Sequence, residues 1–252
     1  MVSLKTTVNK LSPTVNSVCK ILISKLDMSP DNKDEFNSDY LVCEGEVNID
    51  LEQVHFNTDI AFMKLLLTTK LGDSGTFRTT YLKIEFKLVD ITRTASIYEI
   101  SDEYKLVRAV QHKEKGSQLF KENKLEAAFH RFKTSLRYLI FLNDKTLLGA
   151  DDVYTMVCNN MAMCQMKFNN HHYAIELCNK VSNIDKMNVK ALYRRATCYV
   201  ELKQYDKAYA DLTLAQSKES NNPSVKKLMD IVKVQRKQQH EEYKSVVKKM
   251  FR

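Results

Sequence analysis

The chain has 252 residues, 44% hydrophobic and 28% charged, which supplies enough apolar material for one or two packed cores and excludes global disorder. Its net charge of +8 is uneven: residues 224–252 hold nine basic and three acidic side chains, so +6 of the excess sits in a basic tail rather than a basic domain. The longest apolar run, Leu139 to Leu142, is far too short to span a bilayer, and Met1 to Leu11 has no signal-peptide core. The expectation is a cytoplasmic protein that can also reach the nucleus.

Only five Gly and three Pro occur. Gly takes positive φ at little cost, so turn-rich β folds and phosphate loops use it heavily. No GxGxxG or GxxxxGK[ST] string is present, which removes the dinucleotide and P-loop classes. Such a chain should be mostly helical.

Residues 1–95 read with a period of two. In Thr80 to Val89, Leu82, Ile84, Phe86 and Leu88 point one way while Lys83, Glu85 and Lys87 point the other, the pattern of a strand with one buried face. Cys19–Leu26, Tyr40–Ile49 and Ala61–Thr69 are weaker strand candidates. Ser29, Pro30, Asp31 and Asn32 mark a polar loop, and Asp73, Ser74 and Gly75 a turn. From Ser96 the period becomes helical, with Ser96 and Glu99, or Ser101, able to cap the first helix.

The helical half repeats itself. Gly116, Ala162 and Ala196 serve as anchors; three residues later come Leu119, Gln165 and Tyr199, twelve later Ala128, Ala174 and Ala208, sixteen later Phe132, Cys178 and Leu212. The anchors are 46 and then 34 residues apart, and Asn221, Asn222 and Pro223 close the third copy. This pattern resembles the tetratricopeptide repeat, a helix–turn–helix in which small residues let paired helices approach closely. Beyond it, Val225, Leu228, Val232, Val246, Val247 and Met250 lie among nine basic residues on one long helix. A capping helix for the array is the favoured reading; a basic amphipathic helix that engages calmodulin, acidic proteins or anionic membranes is the other.

The strings Lys113 to Gly116 (Lys-Glu-Lys-Gly), Asn160 to Cys164 (Asn-Met-Ala-Met-Cys) and Lys190 to Arg195 (Lys-Ala-Leu-Tyr-Arg-Arg) resemble the repeat domain of the large FKBP immunophilins. The longer first interval around Asn143–Asp152 is similar to that family, as is the basic helix that includes Tyr243 to Phe251. Leu82 to Asp90 then resembles the closing strand of an FKBP domain. The expected fold is α+β: residues 1–95 a small FKBP-like antiparallel β domain, residues 96–223 three repeats, residues 224–252 a basic C-terminal capping helix. The family's prolyl isomerase pocket has a Trp floor and Gly/Pro-rich loops. Here there is no Trp, and no Gly-Ile-Pro-Pro-type stretch lies between Leu71 and Thr80. Losing floor and loop removes the shaped pocket that would stabilise a twisted amide, so the expectation is a non-catalytic domain, with a residual isomerase as the rival.

In chaperone-binding members of that family, five residues clamp the C-terminal carboxylates of the ninety-kilodalton heat-shock chaperone. The matching positions here are Lys113, Ser117, Asn160, Lys190 and Arg194. Lys and Arg suit carboxylates as point and forked donors. Ser117 stands where Asn is usual, and its shorter reach implies one lost hydrogen bond, about 1–2 kcal/mol, or roughly tenfold in affinity. The alternative is that these cations are surface charges without a role. The pairing of a pocketless FKBP-like domain with three repeats is also similar to an insect clock adaptor, which implies a casein-kinase-type protein kinase as client. The expected function is thus a non-catalytic adaptor that regulates such a client, with a cochaperone as the alternative. A homo-oligomer stays open.

Other sites find little support. The six cysteines include no CxxC pair, and His171 and His172 have no Cys at finger spacing, so reduced core thiols and a polar turn are expected, with no metal and no cofactor. There is no nucleophile elbow, HExxH or kinase signature. Asp151 and Asp152 are expected to cap the second repeat's first helix, and Glu241 and Glu242 to lie on a solvated face. No nucleic-acid or membrane partner is indicated: the basic tail alone is nonspecific.

Overall fold

The computed structural model describes residues 11–250 apart from 16, 29–36, 94 and 145, so the loop expected at Ser29 to Asn32 lies outside the described residues. The chain forms two units, Met1–Ser101 and Asp102–Arg252.

The first unit is an antiparallel sheet with one helix. Strands β1 (Ser17–Met28), β2 (Gly45–Asp50), β3 (Ser74–Arg78) and β4 (Leu82–Arg93) are ordered β2-β1-β4-β3. The alternation in β4 is borne out: Leu82, Ile84, Phe86 and Leu88 are buried. They pack with Cys19, Ile21 and Ile23 of β1.

Three readings of this half are corrected. Ala61–Thr69 is not a strand: helix α1 (Asn57–Leu66) occupies it, and Phe62 and Leu66, four apart, face the core. Apart from Lys64 the stretch Ala61 to Leu67 is apolar and so fits either period, and here the helical one wins. Of Tyr40–Ile49 only the part from Gly45 is strand. The preceding bend is held by Asp59 of α1, which accepts hydrogen bonds from the Ser38 hydroxyl and, at 2.9 Å, from the Asp39 backbone N–H. Ser74 and Gly75 belong to β3 rather than to a turn. A Cβ on Gly75 would sit 3.0 Å from the Phe86 ring, so glycine serves close packing here. Turns lie on both sides of β3: before it the Asp73 N–H donates to the Lys70 carbonyl at 3.0 Å with Gly72 at φ 85°, and at residues 79–81 the Thr79 hydroxyl accepts from the N–H groups of Tyr81 and Leu82 at 3.2 and 3.0 Å.

The second unit is a run of paired helices: α2 (Asp102–Lys121), α3 (Leu125–Ile140), α4 (Ala150–Lys167), α5 (His171–Ile184), α6 (Val189–Glu201), α7 (Tyr205–Lys218) and α8 (Pro223–Met250). The anchors sit where paired helices meet. A Cβ on Gly116 would lie 2.7 Å from the Phe132 ring of α3, and Ala162, Ala174, Ala196 and Ala208 are fully buried. Asn123, Asn169 and Lys203 end the first helix of each pair at φ 61, 58 and 56°. Each is followed by an N–H that reaches five residues back, Lys124 to Leu119 O at 2.9 Å, Asn170 to Gln165 O at 2.9 Å and Gln204 to Tyr199 O at 2.8 Å. The repeat is therefore present in the backbone as well as in the packing.

The long first interval is tied down by Asp102, which accepts from the N–H groups of Asn143 and Asp144 at 3.0 and 2.7 Å and from Lys105 Nζ at 2.8 Å. These donors, the Asp144 N–H foremost, hold the Asp102 carboxyl down to about 2. Ser96 and Glu99 bond to each other at 2.7 Å but close a turn of their own, since α2 starts at Asp102. Gly149, at φ 86°, is the N-cap of α4, so Asp151 and Asp152 lie in its first turn instead of capping it. His171 and His172 likewise open α5 behind the N-cap Asn170, rather than forming a turn.

Helix α8 caps the array only in its first half. Asn222 Oδ1 accepts from the N–H groups of Ser224 and Val225, and Val225, Met229 and Val232 are buried against the third pair. Arg236 reaches Asp206 at 2.6 Å and lies over the Tyr209 ring. Beyond it Val246 and Met250 are exposed, so they do not cap as expected. Among the described residues no helix is long and apolar enough to cross a membrane, and no three His, Cys, Asp or Glu side chains could hold a metal. Burial pushes the thiols of Cys19, Cys158 and Cys198 to about 11 and those of Cys164 and Cys178 to about 12, which keeps them protonated packing groups.

Candidate functional site

The first helices of the three pairs line one groove of about 560 Å³. Residues four apart on a helix share a face, so α2 contributes Lys113 with Ser117 and α6 contributes Lys190 with Arg194. Between them α4 contributes Asn160, together with Thr155, Met156 and Asn159. All five residues singled out from the sequence thus line a single surface.

Their surroundings differ. Lys190 is exposed, and Lys113 lies in loose contact with Glu114 at 3.9 Å. Ser117 donates its hydroxyl to the Lys113 carbonyl at 2.9 Å, so its one proton is turned back onto its own helix. Arg194 donates Nη1 to Asn159 Oδ1 at 2.9 Å and brings Nη2 to 3.8 Å from Met163 Sδ. No carboxylate among the described residues pairs with it, and burial pulls its pKa below the usual guanidinium value.

The next residue behaves in the opposite way. Arg195 forms a two-pronged bond to Asp211, Nε to Oδ2 at 2.8 Å and Nη2 to Oδ1 at 2.6 Å, and also reaches Asn179 and Ser182. Asp211 raises its pKa. One arginine of α6 is neutralised inside the fold; its neighbour brings a full positive charge to the groove.

Acidic groups also line the groove, namely Asp152, Asp185 and Glu219. Asp185 is engaged, accepting from the Met187 N–H at 2.9 Å and Asn188 Nδ2 at 3.3 Å, with Lys218 at 3.9 Å. The groove is therefore a polar surface of mixed charge rather than a uniformly basic one.

No family model matches the chain. It is 30% identical to FK506-binding protein 59 of Drosophila melanogaster over 165 residues, 66% of this chain and 37% of that protein. Against the peptidyl-prolyl cis-trans isomerase FKBP4 of Bos taurus the identity is 28% over 173 residues, 68% of this chain and 38% of the relative. The solved C-terminal TPR-containing domain of a putative FK506-binding protein from Plasmodium falciparum matches with a TM-score of 0.54 and 29% identity, covering 58% of this chain and 99% of that domain. The chain is similar to the FKBP-type immunophilins with tetratricopeptide repeats. It spans less than two fifths of the length of those two curated relatives.

In the first unit, Phe62 of α1 meets Phe77 and Phe86 of the sheet edge to face, with ring centroids 5.2 and 4.9 Å apart. This cluster fills the space between helix and sheet. Asn159 escaped the sequence reading because it precedes a matching Asn. The available signal was its place three residues before Ala162, where a buried stripe should be apolar.

Proposed function

We propose that this protein is a cochaperone-type adaptor whose repeat groove takes the acidic C-terminal tail of a chaperone, such as the ninety-kilodalton heat-shock chaperone, and whose FKBP-like unit is non-catalytic. One observation carries the reading. Arg194 faces the groove as a cation with no internal counter-charge, on the surface that also presents Lys113, Asn160 and Lys190. A guanidinium cannot deprotonate to relieve this, so an anionic ligand is the complement the site calls for. A non-catalytic FKBP-like unit is favoured by the missing Trp and by Phe62, Phe77 and Phe86 packing into one another.

Control of a casein-kinase-type kinase client is the finer reading, and it rests on the architectural resemblance alone. The chaperone-tail reading stands ahead of it because it has a lined groove to bind in. The test is a calorimetric titration of the full chain with an acidic, chaperone-type C-terminal pentapeptide. Binding in the micromolar range, about −8 kcal/mol, is expected, and both Lys190→Glu and amidation of the peptide's C-terminus should remove it. No heat of binding in the wild type would sink the proposal.

A further inference from the structure

Arg194 and Arg195 are adjacent on α6, yet among the described residues only Arg195 is paired with an acid. What stands opposite Arg194 is Asn159, a side chain 5% exposed on α4. Its amide is held from both ends. Nδ2 donates to Asn188 Oδ1 at 3.4 Å, and Oδ1 accepts from Arg194 Nη1 at 2.9 Å. Asn188 Oδ1 also accepts from the Ala191 N–H at 3.1 Å as the N-cap of α6, so it must remain an acceptor. The amide therefore presents its NH₂ to Asn188 and its oxygen to the guanidinium.

An Asp at that place would have the same size and would offer the guanidinium a carboxylate, as Asp211 does for Arg195. The neutral amide holds the guanidinium without cancelling its charge. We propose that Asn159 is the positioning residue of the groove's anion site, a neutral acceptor that fixes Arg194 while leaving its charge to the ligand. This rests on the reading of the groove as an anion-binding clamp. It adds a residue outside the five matched positions and assigns a purpose to its being uncharged.

The test uses the full chain with Asn159→Asp and Asn159→Ala, each titrated with the acidic pentapeptide at low and high salt, and each unfolded thermally. Asn159→Asp should weaken binding about thirtyfold and flatten its salt dependence, because the charge is spent internally, while the unfolding midpoint shifts little, the new ion pair being offset by the carboxylate oxygen that then faces the acceptor Asn188 Oδ1. Asn159→Ala should weaken binding only by roughly three- to tenfold and keep the wild-type salt dependence, because the charge remains but its hold is gone. Wild-type affinity in Asn159→Asp overturns the proposal. So does an affinity loss that merely tracks a fall in midpoint in both variants. Should Asn159→Asp not fold, wild-type affinity in Asn159→Ala overturns it equally. If the wild type itself binds no pentapeptide, the chaperone-tail reading fails, and inorganic sulfate then reads the inference separately. A sulfate-dependent rise in midpoint that Asn159→Asp lacks sustains it; an equal rise in both, or none, overturns it.

Discussion

Two regions around α6 solve the same problem in opposite ways. On the seam with α5 and α7, Arg195 is locked to Asp211 and to the polar groups of Asn179 and Ser182. At the groove floor, Arg194 is held by an amide and a thioether. The seam is a structural ion pair whose worth is realised on folding. The groove, on the reading proposed above, is a charge kept in reserve for an anion. A buried carboxylate elsewhere in the chain shows what a titratable group does without a cation beside it. Asp59 in the sheet unit has hydrogen bonds from Ser38 and Asp39, yet burial raises its pKa to about 6. A carboxylate lacking a cation can take up a proton. Arg194 has no such escape, because its guanidinium stays protonated.

The sharpest way to break this contrast is to remove each charge and see which property suffers. Arg195→Ala strands Asp211, whose side chain is 8% exposed, without its cation. Unfolding of the repeat unit, followed by far-ultraviolet circular dichroism, should lose about 3–5 kcal/mol. An effect under about 1 kcal/mol would place the pair among surface bridges and remove the contrast. The Asp59 comparison is next in size. Its folded pKa lies above the unfolded value of 3.8, so its contribution to stability is complete below that value and is lost as pH rises through about 6. Urea unfolding followed on amide resonances of the sheet should show stability falling between pH 4 and 7, on the order of 3 kcal/mol. Asn in place of Asp59 should flatten the profile. Arg194→Ala should do the reverse of Arg195→Ala: a loss of about 2–3 kcal/mol in pentapeptide affinity, read by calorimetry, with little change in unfolding.

How far the sequence discloses these regions follows from what each residue is near. The strand β4 is legible because one face is core and the other is not, so Leu82 to Leu88 alternate. The repeats are legible because Gly116 and the buried alanines are size-limited by the helix opposite, and size leaves a mark at a fixed spacing. The five groove residues are legible through motif positions on the first helices. Helix α1 is hidden because Ala61 to Leu67, apolar but for Lys64, fits both periods, and β3 is hidden because Gly75 serves the Phe86 ring and so imitates a turn. The Thr79 turn carries no Gly, Asn or Pro to announce it. Asn159 is the instructive miss. Its role depends on what it bonds across two helices, with Arg194 35 positions and Asn188 29 positions away in sequence.

The smallest expected effect concerns the far side of the groove. Ser117 has its proton on the Lys113 carbonyl, so toward the groove it can offer lone pairs, which a carboxylate does not want. Ser117→Asn places an amide donor at the same point of α2, longer by enough to reach a ligand lying between Lys113 and Asn160. One added hydrogen bond to a charged group should improve pentapeptide affinity by up to about tenfold, near 1 kcal/mol, with the salt dependence unchanged because no charge is added. Calorimetry at two ionic strengths reads both quantities. An unchanged affinity would mean that the terminal carboxylate does not reach α2. The anion would then be held by α4 and α6 alone, which would make Arg194 and its amide support the centre of the site rather than one edge of it.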